Sequence, residues 1–181
     1  MTIDDRARRR YLVCHDYGMG GIWWWITARS AREIVETFAE VEVVDDPERI
    51  ARFNDSDLDE VDIDDSQMPR GLDNLRAKRD AQRGQSGFGV LIDRGVVYLR
   101  QRWDGEQAVA AADYLTEIGP DGRRTRQVEV RDDGGAVRTG PDDWALNPPI
   151  DLWDPGLAKC VISEDEFERS WATAESAPTD W

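Results

Sequence analysis

Two short stretches near the start of the chain are rich in the apolar and aromatic residues that favour β-strands. They span residues 10–16 and 22–28, and three glycines lie in the segment between them, Tyr17 to Gly21. Glycine adopts the positive φ angles of tight turns without strain. The pattern therefore predicts a β-hairpin in which residues 10–16 pair with residues 22–28.

Helices are predicted where a polar capping residue precedes apolar residues at helical spacing. A glutamate follows Ser30 and Ser163 three residues later in each case, which is the spacing of a capping box. Pro47 predicts another helix, because proline fits the first position of a helix. A longer helix, with several basic residues, is predicted from Pro69 to Arg83.

Turn signals divide the second half of the chain. The run Gly119-Pro-Asp-Gly122 separates residues 114–118 from residues 125–131 and predicts a hairpin. Residues 88–93 and 96–103 are expected to form another hairpin around a two-residue turn.

These elements predict an α+β fold. We expect an antiparallel sheet of five to seven strands, with three or four helices packed mainly on one face. A single domain is predicted over residues 8–175, with flexible tails at residues 1–7 and 176–181.

Three consecutive tryptophans, Trp23 to Trp25, stand in the second predicted strand. Side chains alternate along a strand, so Trp23 and Trp25 point to one face and Trp24 to the other. Either both faces of the strand are covered, or at least one indole is exposed. Exposed tryptophan is common at binding hot spots. Trp24 is therefore either a core residue or a partner-facing residue beside Tyr17 of the adjacent loop.

The formal net charge of -15 comes from 25 Asp and 13 Glu against 21 Arg and 2 Lys. Codon bias and salt adaptation both produce such a composition, but here the charge is uneven. Residues 31–66 carry a net -11 and residues 141–181 a net -8, whereas residues 67–103 carry a net +5. We do not expect an acidic chain to bind nucleic acid directly, because the phosphate backbone selects basic surfaces. The acidic blocks favour a basic protein partner.

Seven acidic residues lie between Asp55 and Asp65. The run begins like a calcium loop, but Glu60 and Ser66 stand where the loop needs glycine and glutamate. Three interpretations remain open: a solvated loop, a surface that mimics a nucleic-acid backbone or docks on a basic site, and an internal cover for the basic helix. Self-repulsion predicts that residues 54–68 form a mobile acidic loop.

The sequence has one histidine and two cysteines, and no catalytic residue is assigned. Cys14 and His15 are neighbours, so on a strand they point to opposite faces and form no dyad. One histidine and two distant cysteines are too few for a structural zinc site, and we predict no metal and no cofactor. No apolar run has the length of a membrane span and the first residues lack a signal-peptide core, so we expect a cytoplasmic protein with no membrane contact.

Part of the chain, roughly residues 97–175, resembles a group of small bacterial proteins of the immunity type that are encoded near polymorphic toxins. The residues that carry the resemblance are Tyr114–Ile118, Pro120–Gly122, Arg126–Val130, Asp132–Gly134, Ile162–Glu168 and Trp171. The resemblance implies a hairpin followed by a terminal helix, as in proteins that bind other proteins. It implies no catalytic residue.

The leading hypothesis is an acidic cytosolic binding protein of immunity or inhibitor type that neutralises a basic toxin or nuclease. One alternative is an enzyme or small-ligand receptor with a pocket at the glycine- and tryptophan-rich hairpin, residues 15–25. Another is a regulator that mimics DNA. The sequence does not predict the oligomeric state. The candidate partner-binding residues are Tyr17, Trp24, Asp57, Asp59 and Asp62.

Overall fold

A computed structural model describes residues 7–18, 20–106 and 110–177. The chain divides into two compact units, here called the N-terminal unit (through Gln85) and the C-terminal unit (from Ser86). The described residues form four α-helices and two sheets, so the α+β prediction is confirmed. A single domain over residues 8–175 stays a prediction, since two compact units can still unfold as one.

The strands form two sheets, of four and five strands, where the sequence predicted one sheet of five to seven. The predicted strand at residues 88–93 is wrong, because these residues form consecutive turns and do not pair with the strand that follows. Leu91 within them is fully buried, so its apolar character reflects packing and not strand pairing.

The described part of the N-terminal unit forms a four-stranded sheet and three α-helices. Its elements are β1 (Arg9–Asp16), β2 (Gly21–Ala28), α1 (Ala31–Thr37), β3 (Glu42–Val44), α2 (Pro47–Phe53), β4 (Glu60–Asp62) and α3 (Leu72–Arg83). The strand order is β3-β1-β2-β4, with β1 antiparallel to β2 and β4 parallel to β2. The predicted hairpin is confirmed, and so is the Ser30 cap, whose hydroxyl accepts from the backbone of Glu33.

Both faces of the β1–β2 hairpin are buried. One face places Val13, Trp24 and Ile26 against apolar residues of α1 and α3. The other places Leu12 and Trp25 with Val44, against apolar residues of α2. Helices therefore cover both faces of this sheet, which differs from the predicted one-sided arrangement.

Arginines of α3 satisfy the carbonyl end of α1. Arg79 is almost fully buried, and its Nη2 donates to the carbonyl oxygens of Val35 (2.9 Å) and Phe38 (3.1 Å). Arg83 Nη2 donates to the carbonyl oxygen of Glu36 at 2.6 Å. The last carbonyls of a helix have no partner inside it and attract cations. Since α1 has no basic residue in its own last turn, α3 supplies them.

The described residues of the C-terminal unit form a five-stranded sheet and one α-helix. Its elements are β5 (Val97–Trp103), β6 (Ala112–Ile118), β7 (Arg124–Arg131), β8 (Ala136–Thr139), α4 (Glu164–Thr173) and β9 (Glu175–Ser176). The strands follow in order β5 to β9, and the β6–β7 hairpin and the Ser163 cap are confirmed. Ser176, where the predicted tail begins, pairs with Arg138, and residues 178–181 lie outside the described residues, as do residues 1–6.

Arg126 on β7 fastens α4 to the sheet. Its Nε donates to Glu117 Oε1 (3.0 Å) on β6, and its Nη2 donates to Glu168 Oε1 (2.5 Å) on α4. Its guanidinium carbon also lies 4.9 Å from the ring centroid of Phe167 and 5.1 Å from that of Trp171. The Arg126 guanidinium holds the pKa of Glu117 below its ordinary value of 4.5.

We expect Trp24→Ala to lower the free energy of unfolding by about 3–5 kcal/mol, because it leaves a cavity in a core that cannot refill it. Trp24 is 1% exposed. The matched control is Ile22→Ala on the same strand and face, where the side chain is 41% exposed. That change should cost about 1 kcal/mol or less. Chemical denaturation measures both, and equal losses would contradict the core assignment of Trp24.

Glu117→Gln should make the protein less sensitive to acid. The folded-state pKa of Glu117 is lowered, so its carboxylate stabilises the fold above its ordinary pKa and this stabilisation is lost as pH falls through the folded-state pKa. Chemical denaturation at several pH values measures the free energy of unfolding. Between about pH 5 and about pH 3 this free energy should fall more steeply, as the pH is lowered, for the wild type than for the variant. Glu175→Gln, at an exposed site of the same unit, removes the same charge and is the matched control. A Glu117→Gln slope equal to the wild-type slope would contradict the role of this ion pair.

Candidate functional site

Tyr17 lies in the turn of the β1–β2 hairpin and is 58% exposed. Its backbone N–H donates to the carbonyl oxygen of Gly20 (3.1 Å), and Asp16 Oδ1 accepts from the backbone of Gly18 (2.7 Å). These two bonds define a short, closed turn. Tyr17 is therefore presented to solvent at the end of the sheet, as a partner-facing residue requires.

Asp57 and Asp59 are exposed, and neither carboxylate forms an ion pair within the residues that the structure describes. The backbone N–H of Trp25 donates to the carbonyl oxygen of Asp59 at 3.0 Å, which ties this segment to β2. Since β4 runs parallel to β2, the residues before β4 lead back towards the end of β2 that begins at Gly21. Asp57 and Asp59 therefore lie on the part of this segment that leads from the middle of β2 towards the β1–β2 turn. Together with Tyr17 of that turn, they are here called the turn-end surface.

Asp62 lies further along, in β4, and is neutralised. Arg8 forms ion pairs with Asp62 and Asp64, Arg10 Nη2 lies 2.6 Å from Glu60, and Arg29 Nη2 lies 2.7 Å from Asp64. Hydrogen bonding to Arg29 lowers the pKa of Asp64. Part of the acidic block is thus balanced within the unit, so Asp62 differs in state from Asp57 and Asp59.

The basic helix α3 is also in contact with the acidic block. Arg76 donates to the carbonyl oxygens of Ile63 (2.6 Å) and Asp65 (2.8 Å), and Lys78 pairs with Glu40 at 2.7 Å. This favours the internal-cover interpretation for the end of the block. The predicted loop at residues 54–68 contains β4, and its mobility stays a prediction.

Trp24 is a core residue. Of the two interpretations left open for it, the core position describes this structure and the partner-facing position does not. Its side chain is almost fully buried with Ile34 and Phe38 of the N-terminal unit, so it presents no surface to a partner in this fold. The physical reason is that α1 and α3 cover its face of the hairpin. Of Tyr17 and the three tryptophans of β2, only Tyr17 is exposed.

Cys14 and His15 lie on opposite faces of β1, as strand alternation predicts. His15 Nδ1 lies 2.9 Å from the carbonyl oxygen of Glu40, which accepts a hydrogen bond from the ring. Burial, followed by the charges of Glu42 and Asp16, raises the pKa of Cys14 to about 11. The thiol is therefore not activated as a nucleophile. Met19, beside the predicted pocket, lies outside the described residues.

The described part of the chain brings together no group of three His, Cys, Asp or Glu side chains that could hold a metal ion. None of its helices has both the length and the apolar character needed to cross a membrane.

A groove of about 470 Å³ lies on the five-stranded sheet, and sequence reasoning missed it. We call it the sheet groove. It lies on the face opposite α4, because its floor residue Thr116 alternates with Leu115, which packs against Phe167 of that helix. Thr116 is 6% exposed and stands between the larger Tyr114 and Ile118 along β6. Its short side chain leaves the depression that forms the floor.

One wall of the sheet groove is a loop that hydrogen bonds to the start of β7. The backbone N–H of Ile150 donates to the carbonyl oxygen of Gly122 (2.9 Å), and Asn147 Nδ2 donates to the carbonyl oxygen of Arg124 (2.8 Å). Gly122 has a φ of 81°, and a Cβ there would lie 2.8 Å from the carbonyl oxygen of Ile150. The wall can approach the sheet this closely because residue 122 is glycine.

Strand alternation carries part of the signal for the sheet groove. Gln101 and Trp103 share a face of β5, and Tyr114 and Thr116 share a face of β6, so the sequence indicates a face of mixed polar and aromatic character. The wall depends on hydrogen bonds between residues more than 20 positions apart, and no local pattern predicts them.

No protein-family model matches this chain, and neither a curated protein nor a solved structure shows significant similarity to it. The resemblance to immunity-type proteins therefore stays a hypothesis.

The two cysteines should differ in reactivity. At about pH 8 only about one Cys14 thiol in a thousand is ionised if its pKa is about 11, and the thiol is also buried. Cys160 is partly exposed. Timed alkylation with iodoacetamide, followed by mass spectrometry, should modify Cys160 first. The single variants Cys14→Ser and Cys160→Ser assign each rate, denaturant should equalise the two, and faster modification of Cys14 in the folded protein would contradict its burial.

Proposed function

We propose that this protein is an acidic cytosolic binding protein of immunity or inhibitor type, which neutralises a basic protein partner such as a toxin or nuclease. One observation carries the proposal. Within one acidic block, arginines pair with Glu60, Asp62 and Asp64, whereas Asp57 and Asp59 stay exposed without an ion pair among the described residues. Exposed carboxylates without an ion pair are the groups that a basic surface would attract.

The physical role of these carboxylates is to speed encounter. Charges at the edge of an interface act mainly on the association rate, while buried aromatic contacts slow dissociation. Tyr17 supplies an exposed aromatic side chain at the β1–β2 turn, towards which the segment of Asp57 and Asp59 leads. Tyrosine is enriched at protein interfaces because it combines apolar area with a polar hydroxyl.

The arrangement of the C-terminal unit agrees with what the resemblance implies. The resemblance to immunity-type proteins implies a hairpin followed by a terminal helix, and the β6–β7 hairpin and α4 have this arrangement.

Affinity purification from the native cell tests the function itself. The protein should capture a basic protein stoichiometrically, and the purified pair should show loss of the partner's toxic or nuclease activity. Capture of acidic proteins only, or capture without inhibition, would contradict the proposal.

The double variant Asp57→Asn with Asp59→Asn should slow association with that partner by roughly 3- to 10-fold at low salt and flatten the salt dependence of the rate. Thermal stability should change little, because neither carboxylate is paired. Surface plasmon resonance at several salt concentrations measures the rates. Tyr17→Ala should instead speed dissociation.

The charge-matched control is Asp45→Asn with Asp80→Asn, which removes the same two charges elsewhere in the N-terminal unit. Asp45 follows β3 and Asp80 lies on α3, so neither belongs to the turn-end surface. The control should alter association much less than the test variant. Equal effects would show that net charge alone acts, and would remove the turn-end surface from the mechanism.

A further inference from the structure

Arg124 in the sheet groove is bound differently from Arg100 and Arg102 of the same sheet. Arg100 pairs with Asp113 at 2.6 Å and Arg102 with Asp132 at 2.7 Å. Arg124 donates only to neutral oxygens, and among the described residues no carboxylate contacts it. Burial lowers the pKa of Arg124, and no carboxylate counters that effect. A positive charge thus remains uncompensated in a chain of net charge -15.

Three hydrogen bonds hold the guanidinium of Arg124 in place, and they do not use all of its N–H groups. Its Nε donates to Asn147 Oδ1 (3.4 Å), Nη1 to Gln127 Oε1 (3.0 Å) and Nη2 to the carbonyl oxygen of Leu146 (3.2 Å). The ring of Trp144 also lies 4.5 Å from its central carbon. An arginine has five N–H groups, so one on each terminal nitrogen lacks an acceptor in the described part of the chain. Two such donors match the two oxygens of a carboxylate.

The other end of the sheet groove is aromatic. Trp103 is 43% exposed and lines the groove together with Tyr114. Trp103 lies opposite Ala112 on β6, and Arg124 lies opposite Ile118 on the same strand. The backbones at the two ends are therefore about 20 Å apart along the strand, and the lengths of the two side chains reduce the distance that a ligand must span. An elongated molecule with an acidic end and a flat apolar end fits this arrangement.

We propose that the sheet groove binds a small aromatic carboxylate, whose carboxylate bonds to Arg124 and whose ring packs against Trp103. A volume of about 470 Å³ falls in the range of small-molecule sites. A peptide added as a strand is disfavoured, because the groove lies on the face of the sheet, where the backbone groups of β6 already bond to β5 and β7. Recognition there must come from side chains. The inference is independent of the proposed function, since it uses none of the turn-end residues.

Isothermal titration of the full chain tests the site with two acids, para-phenylbenzoate and phenylpropanoate. The primary amides of the same acids are neutral probes of matched shape. At least one acid should bind, and about tenfold or more tightly than its amide, because charge-assisted bonds to Arg124 are lost in the amide. This comparison needs no variant and so does not depend on the folding of one. In NMR spectra the indole N–H signal of Trp103 should shift with the acid.

Two variants locate the binding. Arg124→Gln should remove the preference for the acid over the amide, and Trp103→Ala should weaken both probes. The matched control is Arg131→Gln, on the same strand, where the arginine is paired with Glu129 and does not line the groove. Thermal melting checks that each variant folds.

Absence of binding of both acids at millimolar concentration would overturn the proposal, as would equal affinity for acid and amide. An unchanged preference in folded Arg124→Gln would overturn it too. The Asp57→Asn, Asp59→Asn variant should bind the acids as the wild type does, so failure of the groove and failure of the turn-end surface are separate results.

Discussion

Strands β1 and β2 carry large apolar side chains on both faces, and neither face can remain in water at acceptable cost. This constraint organises the N-terminal unit. Trp24 requires a layer on one side, which α1 and α3 provide, and Trp25 requires a layer on the other, which includes α2. Once α1 and α3 lie side by side, Arg79 can close the carbonyl end of α1 from within the core. The arrangement of the unit follows from one doubly apolar hairpin.

Local signals in the sequence predicted the helices and turns well where a residue has one specific structural role, such as capping a helix or forming a tight turn. The Ser30 and Ser163 caps, the glycine turn after β1 and the Gly119–Gly122 turn all stand as predicted. The apolar run at residues 88–93 was misassigned, because periodicity cannot distinguish a strand from buried turns in so short a segment. The division into two sheets was also missed, since no local pattern encodes which strands share a sheet.

The sequence also does not show which charged residues of the candidate surfaces form ion pairs. The sequence grouped Asp57, Asp59 and Asp62 as one acidic set, but Arg8, directly before β1, and Arg10 of β1 form ion pairs with Asp62 and Glu60 of β4. Whether a carboxylate is free depends on pairing over about 50 residues, which composition cannot show. The same holds in reverse for Arg124. Its significance lies in the absence of an acidic neighbour among the described residues, and only the fold shows which side chains surround it.

The close approach at Gly122 has an evolutionary consequence for the sheet groove. Any other residue at position 122 would bring its Cβ against the carbonyl oxygen of Ile150 and would displace the loop that forms the wall. A single substitution there would widen or deform the groove while every side chain that lines it stayed the same. The width of the groove and the side chains that line it are thus encoded at different positions of the gene. A lineage could change the size of the molecule it accepts without changing the groups that recognise it.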